Sequence, residues 1–183
     1  MARVLVPLAE GCEELETVTI TDLLVRAGVT VVSAGLREGP VRCSRGTVII
    51  PETTLDQALE SEYDMVILPG GLPGADRLDN DPRVRELLVR MANAGKFIAA
   101  ICAAPKVLAS AGLLDGKKAT SYPGSIDPGS VPGLTYVDQA VVVDKKLITS
   151  RGPGTAMDFA LELIEQLTGK ENRDKVESAL ARS

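Results

Sequence analysis

The residue with the clearest chemical potential is Cys102. The apolar run Phe97–Ile101 predicts a buried strand that ends immediately before this cysteine, and the residues from Ala103 onward are typical of a helix start. A strand, a sharp turn and a helix form the nucleophile elbow. Backbone N–H groups and the dipole at a helix start favour the thiolate, which is the nucleophilic form of cysteine. We therefore expect a reactive thiol, although a small buried side chain among alanines would give the same local pattern.

A carboxyl group is the expected partner of this thiol. The first predicted strand leads into Gly11–Glu16, a loop and helix start that carries three glutamates. Glu16 lies about one turn into the helix if Cys12 or Glu13 caps it, and its side chain could then point inward. Burial beside a thiolate would raise the pKa of this carboxyl and make it a general acid or base. The alternative is that these glutamates only complement the helix dipole.

Two glycine-rich loops are candidates for binding the oxygen or the charged group of a substrate. Gly70 and Gly71 follow the predicted strand Met65–Leu68, and they either direct backbone N–H groups at a developing oxyanion or form a tight turn. Ser150–Thr155 leads into a predicted long helix and could bind an anion, although an ordinary helix start explains it equally well. Neither loop has the glycine spacing of a nucleoside-triphosphate or dinucleotide site.

The composition excludes several classes of protein. The chain has no histidine, which excludes Ser-His-Asp and Cys-His catalysis and zinc sites with histidine ligands. Its three cysteines form no C-x-x-C pair, so neither a disulfide scaffold nor a four-thiolate metal site is expected. A net charge of −5, no basic tract and 3% aromatic residues argue against direct sequence-specific binding of nucleic acid. We expect chemistry that needs no metal and no organic cofactor.

Short apolar runs alternate with amphipathic stretches along the chain. The runs predict strands at Arg3–Leu8, Val29–Ser33, Val48–Ile50, Met65–Leu68 and Lys96–Ile101, and a hairpin or bent strand over Ala140–Val143 and Leu147–Ser150. The stretches predict helices at Glu14–Arg26, Arg83–Ala94, Thr155–Leu167 and Glu171–Ala181. Fully apolar central strands need helices on both sheet faces, so the predicted fold class is α/β, with a doubly wound and mostly parallel sheet. Ligands of such sheets lie beyond the carboxyl ends of the strands.

The length of 183 residues with 45% apolar residues fits one domain, residues 1–183. The longest apolar runs, such as Phe97–Leu108, are shorter than a membrane span. The N-terminus has no positive region, long apolar stretch or cleavage site of a secretory signal. We therefore expect a soluble cytoplasmic protein that does not bind membranes.

Five motifs in order carry a family resemblance: Gly11–Val18, Cys43–Arg45, Leu68–Gly71, Ala99–Pro105 and Thr149–Thr155. From about Val4 to about Gly169 the chain resembles the ThiJ/PfpI superfamily, and within it the branch of the Parkinsonism-associated protein deglycase. The resemblance implies a flavodoxin-like three-layer sandwich, a homodimer, a reactive Cys102 and a carboxyl partner at Glu16. It places Gly70 and Gly71 on the oxyanion side. The remaining candidate substrate-binding residues are Ala103, Tyr122, Arg45, Arg26 and Pro153.

The resemblance implies two alternative functions. In the first, the chain is a cofactor-independent enzyme in which Cys102 adds to a reactive carbonyl and Glu16 moves the proton. Its substrates would be methylglyoxal, converted to lactate, or early glycation adducts on proteins and nucleotides. In the second, the chain is a non-catalytic redox sensor or stress chaperone that responds through oxidation of Cys102 to the sulfinate.

Two positions depart from the family pattern. Tyr122 stands where several relatives carry a histidine beside the cysteine, so Glu16 would have to move the proton unaided. Cys12 stands where relatives usually carry a small residue, and it is either packed as one or able to form a disulfide with Cys102. The peptidase branch of the superfamily carries a histidine directly after its cysteine, and this chain has Ala103 there, so a peptidase function is disfavoured. The missing histidine disfavours an amidotransferase in the same way.

Overall fold

The regular elements follow the alternation of apolar runs and amphipathic stretches. The computed structural model describes residues 1–182, and within them we number the elements in chain order. The strands are β1 Arg3–Leu8, β2 Thr30–Gly35, β3 Val41–Arg42, β4 Val48–Ile49, β5 Thr53–Thr54, β6 Met65–Leu68, β7 Phe97–Ile101, β8 Lys118–Ala119, β9 Thr135–Tyr136, β10 Val141–Asp144 and β11 Leu147–Ser150. The α-helices are α1 Glu14–Arg26, α2 Leu55–Ala58, α3 Leu72–Asp79, α4 Pro82–Asn93, α5 Pro105–Ser110, α6 Ala156–Thr168 and α7 Lys170–Ala179.

The central sheet contains seven strands in the order β10-β11-β7-β6-β1-β2-β5. Neighbouring strands are parallel except for the antiparallel pair β10 and β11. Outside this sheet, β3 and β4 form an antiparallel hairpin, and β8 pairs with β9. Parallel neighbours place the carboxyl ends of β1, β6 and β7 along one edge, where the loops that follow them meet.

Helices cover both faces of the sheet because the central strands are apolar on both sides. Along β1, Val4 and Val6 pack into a cluster with residues of α1 and α6, whereas Leu5 packs into a second cluster with residues of α3, α4 and α5. The same alternation separates Ile67 from Val66 on β6. Side chains two residues apart share a face of a strand, so each central strand contributes to both cores. The arrangement is the predicted three-layer α/β sandwich.

Most predicted elements are confirmed, and the small differences have local causes. The structure begins β2 at Thr30 rather than Val29, because the N–H of Val29 donates to the carbonyl of Leu24 and closes the end of α1. It begins α4 at Pro82, because the Asp81 carboxylate caps the helix by accepting from the N–H of Arg83 at 3.0 Å. The last helix ends at Ala179, two residues before the predicted end.

Helix α3 is absent from the sequence prediction because its start resembles a loop. Pro73 and Gly74 lie in its first turn, where a proline costs no helical hydrogen bond. A side chain at Gly74 would place its Cβ 2.7 Å from the Cα of Cys12. The glycine therefore lets α3 begin in direct contact with the loop that follows β1.

Within residues 1–182, no helix is both long enough and apolar enough to cross a membrane.

Candidate active site

The candidate residues meet where the strand order of the sheet changes direction. The chain moves from β1 outward to β2 and then returns to β6 on the other side of β1, so the loops after β1 and β6 diverge at this point. Glu16 follows β1, Gly70 follows β6 and Cys102 follows the adjacent strand β7. Such a switch point is the usual ligand position in doubly wound sheets.

Cys102 adopts the sharp turn that the sequence predicts. Its φ of 63° lies in the left-handed region, which residues other than glycine rarely adopt. Two hydrogen bonds hold this conformation: the Cys102 N–H donates to the carbonyl of Ser150 at 3.0 Å, and the Cys102 carbonyl accepts from the N–H of Tyr122 at 2.8 Å. The side chain is 8% exposed. The fold thus holds the sulfur at a nearly closed surface in a strained backbone conformation.

Glu16 points inward from the first turn of α1. The Glu13 carboxylate caps the helix by accepting from the N–H of Glu16 at 2.8 Å, as one of the two predicted capping arrangements requires. The Glu16 side chain has no exposed surface. Its Oε2 accepts from the N–H of Gly70 at 2.7 Å, whereas Oε1 has no hydrogen-bond partner of acceptable geometry among residues 1–182.

The buried carboxyl keeps its proton to nearly neutral pH. Burial raises the pKa of Glu16 from 4.5 to about 7, against the opposing effects of the Cys102 thiol and the Gly70 N–H. The sequence predicts this direction of the pKa change. At neutral pH the group is therefore able both to accept and to donate a proton.

Gly70 sets the distance between the thiol and the carboxyl. A Cβ at this position would lie 2.5 Å from the Cβ of Cys102 and 2.5 Å from Oε2 of Glu16. The Cβ of Cys102 and Oε2 of Glu16 therefore lie no further apart than twice that distance, and both pack against Gly70. Gly71 has a φ of 86°, and a Cβ there would lie 2.3 Å from the carbonyl oxygen of Gly11. The two glycines bring the β6 loop against both β7 and the β1 loop.

The thiol is more weakly acidic than the sequence predicts. The pKa of Cys102 is raised to about 12, by burial first and then by the negative charge of the nearby Glu16 carboxylate, whereas the N–H groups of Gly71 and Ala103 act in the opposite direction. The expectation of a stabilised thiolate is wrong for this geometry, because α5 begins only at Pro105 and places no helix start at the sulfur. Burial and the charge of Glu16 thus oppose the loss of the thiol proton in this geometry.

Three of the further candidate residues surround this site. Ala103 is buried and lies directly after the thiol, where its N–H interacts with the sulfur. Tyr122 is bonded to the Cys102 carbonyl through its backbone, and its ring lies against Gly152. Pro153 follows Gly152 in a short 3₁₀ turn. These residues lie near the carboxyl ends of β7 and β11, on the side of Cys102 where these two strands end.

The two candidate arginines do not meet the thiol within this chain. Arg26 lies in the last turn of α1, about 15 Å along the helix axis from Glu16 at 1.5 Å per residue. Its guanidinium pairs with Asp22, and both side chains are half exposed. Arg45 lies exposed on the β3–β4 hairpin, and its backbone N–H donates to the Glu14 carboxylate at 3.0 Å. We therefore remove Arg26 from the candidate site of a single chain.

Glu14 has a role that the sequence does not reveal. Its carboxylate accepts hydrogen bonds from the Ser44 hydroxyl at 3.1 Å and from the backbone N–H groups of Arg45 and Thr47 at 3.0 and 3.3 Å. Burial raises the pKa of Glu14, but these hydrogen bonds and one from its own backbone N–H lower it by more, so the pKa of Glu14 is lowered overall. This residue joins α1 to the β3–β4 hairpin. Its position in the first turn of a helix gave only the signal of a dipole interaction.

The second thiol near the β1 loop pairs with a different cysteine from the one suggested by the sequence. The Sγ atoms of Cys12 and Cys43 lie 3.6 Å apart, and both side chains are buried. Gly71 and Gly74 pack directly against the Cys12 backbone. The suggested disulfide between Cys12 and Cys102 is therefore replaced by a contact between Cys12 and Cys43.

The chain is similar to known proteins over nearly its whole length. The model of the DJ-1/PfpI family matches residues 2–166. Protein dj-1beta of Drosophila melanogaster is 48% identical over 178 residues, which cover 96% of this chain and 95% of the fly protein. The glutathione-independent glyoxalase DJR-1.2 of Caenorhabditis elegans is 38% identical over 175 residues, which cover 96% of this chain and 92% of the worm protein. The crystal structure of the fly DJ-1beta matches with a TM-score of 0.94 at 47% identity, covering 100% of this chain and 98% of the other.

The raised pKa of Glu16 predicts a pH dependence of stability. The folded state binds more protons than the unfolded state between pH 4.5 and about 7, so stability falls as pH rises through this interval, by up to about 3 kcal/mol. Glu16→Gln removes this titration. Denaturant unfolding at pH 4.5 and pH 8 should show the variant gaining stability relative to the wild type at the higher pH. An unchanged difference between the two proteins would show that Glu16 titrates normally.

The close contacts of Gly70 predict that even a methyl group is not tolerated there. Gly70→Ala forces Cys102 and Glu16 apart, and we expect a loss of about 2 kcal/mol in the free energy of unfolding. Gly154→Ala is the matched control, because no heavy atom lies within 4 Å of its added Cβ. Equal unfolding midpoints for the two variants would contradict this account of the site.

Proposed function

The chain belongs to the DJ-1/PfpI family, and we propose that it is a protective enzyme that depends on a cysteine. It forms one domain. It converts small reactive carbonyl compounds, above all methylglyoxal, to hydroxy acids. The observation that carries this proposal is the packing of Cys102 and the buried Glu16 against the same glycine, Gly70, where burial raises the pKa of Glu16 to about 7. The relative named as a glutathione-independent glyoxalase supports the choice of reaction. Neither Cys102 nor Glu16 needs a histidine for this proton transfer, so the reaction is compatible with a chain that contains no histidine.

The first step joins the substrate to the enzyme. The Cys102 sulfur bonds to the aldehyde carbon of methylglyoxal while the ionised Glu16 carboxylate accepts the thiol proton. The aldehyde oxygen gains that proton from Glu16, and the product is a neutral hemithioacetal. The N–H groups of Gly71 and Ala103 interact with the sulfur and are the donors available for negative charge that develops on the adjacent oxygen.

The remaining steps move one proton and add one water. Glu16 removes the hydrogen from the former aldehyde carbon and, through an enediol, the proton returns to the neighbouring carbon. The result is a thioester of lactic acid on Cys102. Water then cleaves the carbon–sulfur bond, which releases lactate and restores the thiol. A pKa of about 7 suits Glu16 to both halves of this proton transfer.

The same chemistry extends to early glycation adducts, which contain the same two-carbon unit attached to an amine. The exposure of Cys102 favours the free aldehyde, because a side chain that is only 8% exposed admits a small molecule more readily than an adduct on a protein surface. We therefore place methylglyoxal before protein or nucleotide adducts as the preferred substrate.

The alternative function is redox sensing or a stress-chaperone role through oxidation of Cys102 to the sulfinate. The site suits this function too, because Glu16 can accept the thiol proton when the sulfur attacks a peroxide as well as when it attacks a carbonyl. We place carbonyl conversion first because one of the relatives is named as a glyoxalase.

We also propose that the chain forms a homodimer. Large apolar side chains are exposed along one stripe of α1 and on the neighbouring β3–β4 hairpin, which Glu14 connects. They are Leu15, Val18, Val25, Val48 and Ile50. Exposed apolar groups at this density mark a protein–protein interface more often than a free surface.

Turnover of methylglyoxal by variants tests the enzymatic proposal. We expect Cys102→Ser to form no lactate above background and Glu16→Gln to lower kcat/KM by about 100-fold or more, the usual loss on removing a general base. Lactate release by the two variants should be compared with that of Gly154→Ala, which changes no residue of the pair. Undiminished lactate from Cys102→Ser would exclude the mechanism, and a wild type without turnover would favour redox sensing.

The pH profile of the reaction tests the role of Glu16. The carboxylate must be ionised to accept the thiol proton, so kcat/KM should rise with pH to a midpoint of about 7 and then level off. Residual activity of Glu16→Gln should lack this midpoint. A wild-type midpoint unchanged in the variant would assign the titration to another group.

Light scattering tests the dimer. Val18→Asp places a charge in the apolar stripe and should shift the mass from that of two chains toward that of one. Val89→Asp is the matched control, because Val89 is also an exposed helical valine, on α4 and outside the stripe. A wild-type protein with the mass of a single chain would overturn the proposal.

A further inference from the structure

Cys12 and Cys43 form a second pair of thiols apart from the candidate active site. Their sulfur atoms lie 3.6 Å apart, and the side chains are 0% and 4% exposed. We propose that this pair is a modification site, at which a hydroperoxide oxidises the two thiols to an intramolecular disulfide. The inference does not depend on the reaction proposed for Cys102.

Hydrogen bonds on both sides of the pair hold the two sulfurs together. The N–H of Gly11 donates to the carbonyl of Arg42 at 2.8 Å, and the N–H of Ser44 donates to the carbonyl of Cys12 at 2.8 Å. The Glu14 carboxylate adds further bonds to the same hairpin. Two reacting groups that the fold already holds in contact need no further loss of freedom to meet.

The two thiols differ in a way that assigns their roles. The pKa of Cys12 is raised to about 12, by burial first and then by the neighbouring Cys43. Burial also raises the pKa of Cys43, but a hydrogen bond from the Cys12 thiol acts in the opposite direction. Cys43 is the more exposed of the two as well. Cys43 is therefore the thiol that meets the oxidant, and Cys12 is the thiol that resolves the intermediate.

The reaction balances with one hydroperoxide. The Cys43 sulfur attacks the peroxide oxygen and breaks the O–O bond, which gives a sulfenic acid and water when the oxidant is hydrogen peroxide. The Cys12 sulfur then displaces the oxygen of the sulfenic acid as a second water. Two thiols have lost two electrons and two protons, and the peroxide has gained them.

The new bond would join the loop that follows β1 to the β3–β4 hairpin. Cys12 lies directly before the Glu13 cap of α1, and Cys43 lies in the β3–β4 hairpin. Gly70 faces Cys102, whereas Gly71 and Gly74 face the Cys12 backbone, so the two sulfur sites lie on opposite sides of one loop. Oxidation at the pair thus proceeds without involving Cys102.

The test uses the full chain carrying Cys102→Ser, treated with hydrogen peroxide, then denatured and alkylated. Trypsin cleaves after lysine and arginine, so Cys12 and Cys43 fall on separate peptides, Val4–Arg26 and Cys43–Arg45. We expect these peptides to be recovered joined, from a protein that has lost two hydrogens and accepts no alkyl group. Dithiothreitol should restore both alkylatable thiols, which it would not do for a sulfinate.

Adding Cys12→Ser to this protein is the matched control, and it must abolish the joined peptide. The proposal is overturned if both thiols of the Cys102→Ser protein remain alkylatable. It is equally overturned if Cys43 gains oxygen without becoming joined to Cys12, or if the joined peptides come only from crosslinks between chains. Because Cys102 is absent throughout, none of these outcomes bears on the carbonyl reaction.

Discussion

A carboxyl group without exposed surface either finds several donors or keeps its proton. Glu16 accepts one backbone N–H, from Gly70, and its other oxygen has no partner among the residues that the structure describes. The fold therefore holds a carboxyl that is close to half protonated at neutral pH. Because Cys102 packs against the same glycine, this carboxyl is the group placed to accept the thiol proton in the proposed reaction.

The loop after β6 determines how close the surrounding loops come. Gly70 allows Cys102 and Glu16 to approach from either side, and Gly71 and Gly74 allow the loop after β1 to lie against α3. A side chain at any of these positions would separate two segments by at least the thickness of a methyl group. The absence of side chains at these glycines therefore lets one segment lie directly against both Cys102 and the backbone of Cys12.

The sequence is most informative where local pattern and chemistry agree. The apolar strand that runs into Cys102, and the glutamate one turn into α1, are visible without a structure. The acidity of the thiol is not, because it depends on burial and on a carboxylate that is distant in sequence. The contact between Cys12 and Cys43 is equally hidden, since it joins a loop and a hairpin 31 residues apart. The position of Arg26, by contrast, follows from the predicted helix itself, because a rise of 1.5 Å per residue places Arg26 at the opposite end of α1 from Glu16.

The left-handed conformation of Cys102 has a consequence for how the protein can change. A glycine at this position would relieve the backbone strain of a φ of 63°, because it has no side chain. A glycine would also remove the sulfur. Selection for thermal stability and selection for reactivity therefore favour different residues at one position. A chain that kept the fold but lost its substrate would be expected to drift toward glycine there, so the identity of this residue in any descendant reports whether the chemistry is still in use.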